Sequence, residues 1–278
     1  MIDLLLRYMK CWEEALAMLR SPSVLGPFFI FAALQFLVLV CLTLFSVSPL
    51  SVVMVPVVKL LGGEEALHYP MHMILLPQMY HQVYLPLAIL VGFALFGWAV
   101  SLMVDYYERT GVNIPGLTRR PTASMIPSLM VLGLIYVGVI TAVQLSFSYI
   151  GTRLPVGVAG PLVSLVGVAV VVAVQALLIY SVFFLVTRTS NPLEAVGLSA
   201  RHGLKHPGLT VMIVLTVLLI HLPVDFLSSR ADKIALKFDP QLVAVLLSVG
   251  IVFEILTNFF LFASTTAAVT GGRKVGME

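Results

Sequence analysis

The sequence predicts an all-α polytopic membrane protein, with six transmembrane helices plus interfacial amphipathic helices, and three observations carry that prediction. Apolar residues make up 60% of the 278 positions, charged residues only 10%, and the mean hydropathy is +1.06. A soluble domain carries about 25% charged residues because its surface must face water. Six apolar stretches reach the roughly 20 residues needed to cross the hydrocarbon core. The basic residues, finally, alternate in density from one connection to the next.

Taken in order, residues 1–20 read as an amphipathic helix lying in the interface. Leu5, Met9, Trp12, Leu16 and Leu19 recur at three- and four-residue steps, with Arg7, Lys10, Glu13 and Glu14 elsewhere. Ser21-Pro22 then breaks the chain before the first span, residues 24–47. A longer outer connection, residues 47–82, holds Pro49, Pro56, Gly62-Gly63 and Pro70 and reads as a solvated loop. The remaining spans fall at about 83–104, 125–147, 156–187, 208–227 and 241–267. Together they make a single membrane domain over 1–278. Small-residue pairs (Ala88 and Gly92, Gly97 and Ser101, Gly160 and Ser164) have the spacing of close helix contacts. Residues 1–20 carry both charge signs and no small-x-small site follows the first span, so a cleaved signal peptide is not expected.

Orientation follows from the short connections. One side carries Arg7, Lys10, Arg20, Arg109, Arg119, Arg120, Arg188, Arg201, Lys205, Arg273 and Lys274. The other carries Lys59, Arg153, Arg230, Lys233 and Lys237. This split, 11 against 5 of the 16 basic residues, predicts cytoplasmic N- and C-termini, and an even number of spans requires both on one side. Cys11 and Cys41 differ in expected bilayer depth, so no disulfide is predicted. Cys11 reads as an apolar residue, with surface acylation as the alternative.

A second interfacial helix is predicted over residues 191–205. Asn191 supplies a cap, Pro192 suits the first helical position, and Glu194 stands where a capping box places its carboxylate. Leu193, Val196, Ala200 and Leu204 share one face, and the basic residues Arg201 and Lys205 share another. The second face reads as an ordinary solvated one or as a contact for lipid headgroups. Glu-Glu-Ala-Leu-Ala-Met-Leu-Arg in the opening helix and Leu-Glu-Ala-Val-Gly-Leu-Ser-Ala-Arg here hint at a threefold repeat of one interfacial segment and two spans. Its middle copy, at residues 117–124, matches poorly. The stretch "NPLEAVGLSARHGLKHPG" after "LLIYSVFFLVTRTS" resembles bacterial six-helix membrane proteins of the YciC-like and glycerophosphodiester-phosphodiesterase membrane-domain type. The resemblance implies a bacterial inner-membrane protein, and implies no catalytic residues.

Ionisable groups at bilayer depth cost at least about 2.5–3.5 kcal/mol on insertion scales, so each needs a reason. Glu254 falls near the middle of the sixth span, where keeping its proton is the least costly arrangement. Gln175 and Asn258 are its candidate partners. Three roles fit Glu254: a helix-packing hydrogen bond, a proton or cation site on a substrate path, or a lipid-headgroup contact. His221 and Asp225, at i and i+4 near the outer end of the fifth span, have the spacing of a charge-assisted pair. His68 and His72, and His202 and His206, repeat that spacing, but Pro70 interrupts the first pair and cations surround the second. No metal or cofactor is therefore expected.

No Gly-rich phosphate loop, nucleophile elbow or haem-attachment motif is present in the sequence. The expected role is a non-enzymatic accessory, scaffold or assembly component whose partners are the lipid bilayer and a further membrane protein or second copy. The net charge of +3 gives no reason to expect nucleic acid. The alternative is a small proton-coupled transporter or lipid-handling protein that uses Glu254.

Overall fold

The computed structural model describes residues 2–111, 122–153 and 159–271, and among them every regular element is helical. In chain order these are α1 (Ile2–Met18), α2 (Pro22–Thr43), α3 (Ser51–Gly62), a 3-10 turn (Glu64–Leu67), α4 (Met71–Leu87), a π turn (Ala88–Gly92) and α5 (Phe93–Arg109). There follow α6 (Thr122–Arg153), α7 (Ala159–Leu178), α8 (Ser181–Thr187), α9 (Pro192–Lys205), α10 (Pro207–Ser228), α11 (Ala231–Lys237) and α12 (Leu242–Gly271). Six stretches are long and apolar enough to cross a membrane: Pro22–Thr43, Met71–Arg109, Ser124–Gly151, Leu165–Thr187, Pro207–Val224 and Leu242–Gly271. The chain is an all-α polytopic membrane protein. Arg119, Arg120, Arg273 and Lys274, most of the middle repeat segment, and the side chains of Gly160 and Ser164 lie outside the described residues.

Two expectations need correction. The outer connection is not an open loop: it folds as α3, the 3-10 turn and the first turns of α4, so the second span's helix begins at Met71. Apolar residues at helical spacing drive this, and Gly62 permits the tight corner. A Cβ on Gly62 would meet that of Ala66 at 2.6 Å. His72, expected in solvent, is 3% exposed. Its Nδ1 pairs with the Ala66 carbonyl at 2.9 Å, and its ring lies 4.4 Å from that of Phe45. The other correction is the fourth span, which is broken between α7 and α8 at Ile179–Tyr180.

The chain divides into two compact units. One comprises Met1–Pro27, Ile89–Val217 and Phe259–Glu278, the other Phe28–Ala88 and Leu218–Asn258. In the first unit, α5 and α6 approach closely because Gly97 faces Leu129 and Gly133 faces Phe93. A Cβ at either glycine would come within 2.4 Å and 2.7 Å of those side chains, respectively.

The break in the fourth span frees backbone groups that cost several kcal/mol if left unpaired in hydrocarbon. Ser199 of α9 answers both needs. Its Oγ accepts from the Tyr180 N–H at 3.1 Å and donates to the Leu177 carbonyl at 2.6 Å. Gly203 lets α9 settle there, since a Cβ would meet the Ala176 carbonyl oxygen at 2.9 Å. The face that α9 buries is therefore Ala195, Ser199 and Gly203, while Leu193 and Leu204 stay exposed at 70% and 69%. Of the shared apolar face read from the sequence, Leu193 and Leu204 are exposed and Val196 and Ala200 are half-buried.

The start of α9 follows the predicted cap with one change. Asn191 accepts from the Leu193 N–H at 3.0 Å. Glu194 does not close the capping box directly. The Asn191 N–H donates to Thr189 Oγ1 at 3.1 Å, and that hydroxyl donates to Glu194 at 2.5 Å.

Helix α1 repeats the pattern of α9. It buries Cys11, Ala15 and Met18, and exposes Leu5, Leu6, Met9 and Leu16. The Tyr8 hydroxyl bonds Thr216 at 2.6 Å, and the Trp12 ring packs 5.0 Å from Phe260. Ala15 and Ala195, aligned in the proposed repeat, are both fully buried. The glutamate before each, Glu14 or Glu194, accepts from a hydroxyl.

In the second unit, Ala231, Ile234 and Ala235 of α11 pack with Ile74 of α4 and Val243 of α12. Small residues on α11 let this seven-residue helix lie flat against its neighbour.

Candidate functional site

The second unit assembles a polar cluster around Glu254. Gln35 is fully buried on α2, Tyr80 and Tyr84 are one turn apart on α4, and Glu254 and Asn258 are one turn apart on α12. The Tyr84 hydroxyl donates to Glu254 Oε1 at 2.5 Å, Gln35 Nε2 donates to the same oxygen at 3.2 Å, and Asn258 Nδ2 stands at 3.5 Å from it. The Tyr80 hydroxyl in turn reaches Gln35 Oε1 at 3.4 Å. Tyr84 is held by the rings of Tyr80 at 6.1 Å, Phe31 at 6.4 Å and His81 at 6.4 Å. The His221 ring lies within electrostatic reach of the carboxyl.

Magnitudes decide what this arrangement does. A hydrogen bond between neutral groups contributes about 0.5–1.5 kcal/mol. Two good ones and a marginal third offset much of the insertion cost of one carboxyl, about 2.5–3.5 kcal/mol. The cluster therefore ties three helices to one side chain.

Of the residues predicted from sequence, the structure joins Asn258 to Glu254 and brings His221 near. Gln175 sits half-buried on α7, in the first unit, and among the described residues Tyr84, Gln35 and Asn258 are the donors to Glu254. The Asp225 side chain lies outside the described residues, so its pairing with His221 is not described. Sequence reasoning passed over Gln35, Tyr80 and Tyr84. Gln35 carried a signal, as the one amide in an otherwise apolar first span. The tyrosines carried none, because a tyrosine near a span's end is ordinary at the interface.

The first unit holds a cavity of about 210 Å³. Its polar groups are Arg7, Lys10 and Glu14 of α1, Arg188 after α8, His202 of α9 and His206 just after it. Its apolar wall includes Phe184, Leu209 and Ala268. The Arg188 guanidinium lies 5.3 Å from the centre of the Phe184 ring, and the two imidazoles are 5.2 Å apart. Glu14 accepts from the Tyr107 hydroxyl at 2.7 Å, and Arg7 pairs with Asp3 at 3.3 Å. Burial, reinforced by Glu14 and opposed by Lys10, pushes the Cys11 thiol up to about 12. Arg201 and Lys205, the basic pair singled out from sequence, are exposed on α9 and do not line this cavity. Among the described residues no group of three or more His, Cys, Asp or Glu is placed to hold a metal ion.

No protein-family model, no curated protein and no solved structure matches this chain.

Proposed function

We propose that the chain is a non-enzymatic, multi-pass accessory or assembly component of a bacterial inner membrane, with both termini in the cytoplasm. The observation that carries this reading is the bonding of Glu254. An intramembrane carboxyl that accepts from two other helices, and sits against a third donor on its own, has the geometry of a brace. A brace holds helices in register, and what it supports here is a scaffold whose surfaces are met by lipid and by another membrane protein or a second copy. The basic asymmetry between connections supports the orientation, and the resemblance to YciC-like and glycerophosphodiester-phosphodiesterase membrane-domain proteins supports the inner membrane.

A second reading, proton coupling in a small transporter or lipid-handling protein, is favoured by one observation: His221 stands within electrostatic reach of Glu254. The substitution Glu254→Gln separates the two. Glutamine keeps an acceptor oxygen for Tyr84 and Gln35 but cannot exchange a proton. The brace reading expects this protein to fold, insert and support growth like the parent, and Glu254→Leu to lose stability. Loss of a proton-dependent phenotype in a folded Glu254→Gln protein overturns the accessory role and leaves coupling in its place.

A further inference from the structure

We propose that the cavity of the first unit is a binding site for a small phosphate-bearing anion that approaches from the aqueous side of the membrane surface. It goes beyond the accessory reading and is independent of Glu254.

Three cations from two segments, Arg7 and Lys10 of α1 and Arg188 after α8, converge on one cavity of about 210 Å³, joined by the donor-capable rings of His202 and His206. Drug-sized ligands occupy about 300–1,000 Å³, so the space suits a small anion or a headgroup. Guanidinium and ammonium groups arrayed around a concavity match the several acceptor oxygens of a phosphate, which arginine binds through paired N–H groups. The stem of Arg188 is set by Phe184, under its guanidinium. Among the described residues Glu14 is the one acidic lining group, and the Tyr107 hydroxyl already donates to it. Helical geometry then gives the direction of approach. At 100° per residue, Arg7, Lys10 and Glu14 lie on average roughly 130° around α1 from the exposed Leu5, Leu6, Met9 and Leu16. A helix whose apolar face lies in the bilayer turns the cavity-lining face toward water.

The test uses the full chain in phosphatidylcholine nanodiscs. Calorimetry with inorganic phosphate and with glycerol 3-phosphate forms the soluble arm. Native mass spectrometry comparing retention of phosphatidylglycerol with phosphatidylcholine forms the lipid arm. Saturable binding is expected in the soluble arm, weakened about tenfold or more by Lys10→Gln or Arg188→Gln. Ala268→Phe, which fills the space without changing charge, should abolish it, and Lys59→Gln, in the second unit, should leave it unchanged. Size-exclusion profiles and melting curves establish that each variant is folded. Charge-sensitive retention of phosphatidylglycerol with no soluble binding would keep the phosphate chemistry but overturn aqueous approach. Absence of saturation in both arms, or binding indifferent to all three cavity variants, overturns the site.

Discussion

At the residue scale, each donor to Glu254 has a definite energetic role. Tyr84 makes the shortest bond, 2.5 Å, and its aromatic body is packed on three sides, so Tyr84→Phe removes the hydroxyl while preserving the packing. That change should destabilise the protein by about 1–3 kcal/mol, the cost of leaving a buried carboxyl short of a donor. Denaturant unfolding in mixed micelles measures it, with Phe31→Leu as a control for packing alone. An effect of the hydroxyl deletion below about 0.5 kcal/mol, the level of a neutral surface change, would remove Tyr84 from the brace.

Cys11 offers a pH-dependent counterpart outside the spans. Its thiol is held at about 12 against 9.0 unperturbed, so at pH 8 the folded protein has about a thousandth of the thiolate of the unfolded chain. Alkylation of Cys11 should be slower in the native state by about that factor. The raised value means the neutral thiol is the form folding favours. Its contribution to stability is complete below pH 9 and is lost as pH rises from 9 toward 12. Native and unfolded protein that react at equal rates would contradict the burial of this side chain.

At the scale of elements, the informative case is the broken fourth span. The sequence reads as one apolar run from 156 to 187, because no charge interrupts it and neither proline nor glycine stands at Ile179–Tyr180. The signal lay on another helix: Ser199 and Gly203, four residues apart on α9, are the pair that supplies hydrogen bonds and clearance at the break. Single-run periodicity cannot see a partner 20 residues away. Ser199→Ala leaves the Tyr180 N–H and the Leu177 carbonyl unpaired, at about 1–3 kcal/mol each. Gly203→Val drives branched carbon into the Ala176 carbonyl. Both should lower the melting temperature and raise hydrogen exchange at Tyr180, whereas Gly197→Ala, with open space around its Cβ, should not. Equal exchange at Tyr180 in parent and Ser199→Ala would sink this account of docking.

The same comparison shows what composition does reveal. Span number, both interfacial helices and the Asn191 cap were legible because each follows from local apolar runs or local turn chemistry. Glu254 and Asn258 were legible as a pair for the same reason, being one turn apart. Gln35 and Tyr84 lie 219 and 170 positions from Glu254, and only tertiary packing brings them to it. The π turn after Pro86 lies between these extremes. Pro86 has no N–H for the Gln82 carbonyl and its ring crowds that group, so a reset of the helical ladder nearby is legible, although its form is not.

At the scale of the whole molecule, the outcome hinges on parity. Helix α3 has 12 residues, about 18 Å at 1.5 Å per residue. That falls short of the roughly 30 Å hydrocarbon core, so α3 cannot add a seventh crossing. The run from Met71 to Arg109 has 39 residues, about 58 Å along its path, nearly twice what one crossing needs. Its surplus is accounted for if the early turns of α4 stand outside the core together with α3, as the corrected outer connection requires. Six crossings then leave the termini on one side, and the excess of basic residues on that side supports the proposed cytoplasmic orientation. Leu60, 85% exposed on α3, is the place to test this. In a Cys11→Ser, Cys41→Ser background, Leu60→Cys should react with a membrane-impermeant maleimide on intact cells. Lys205→Cys, on the exposed side of α9, should react only after permeabilisation. The reverse pattern would invert the orientation, and with it the compartment from which an anion reaches Arg7, Lys10 and Arg188. Labelling of both sites from outside would mean an even number of crossings between them, against the three of Met71–Arg109, Ser124–Gly151 and Leu165–Thr187, and one of those spans would then have to be reconsidered.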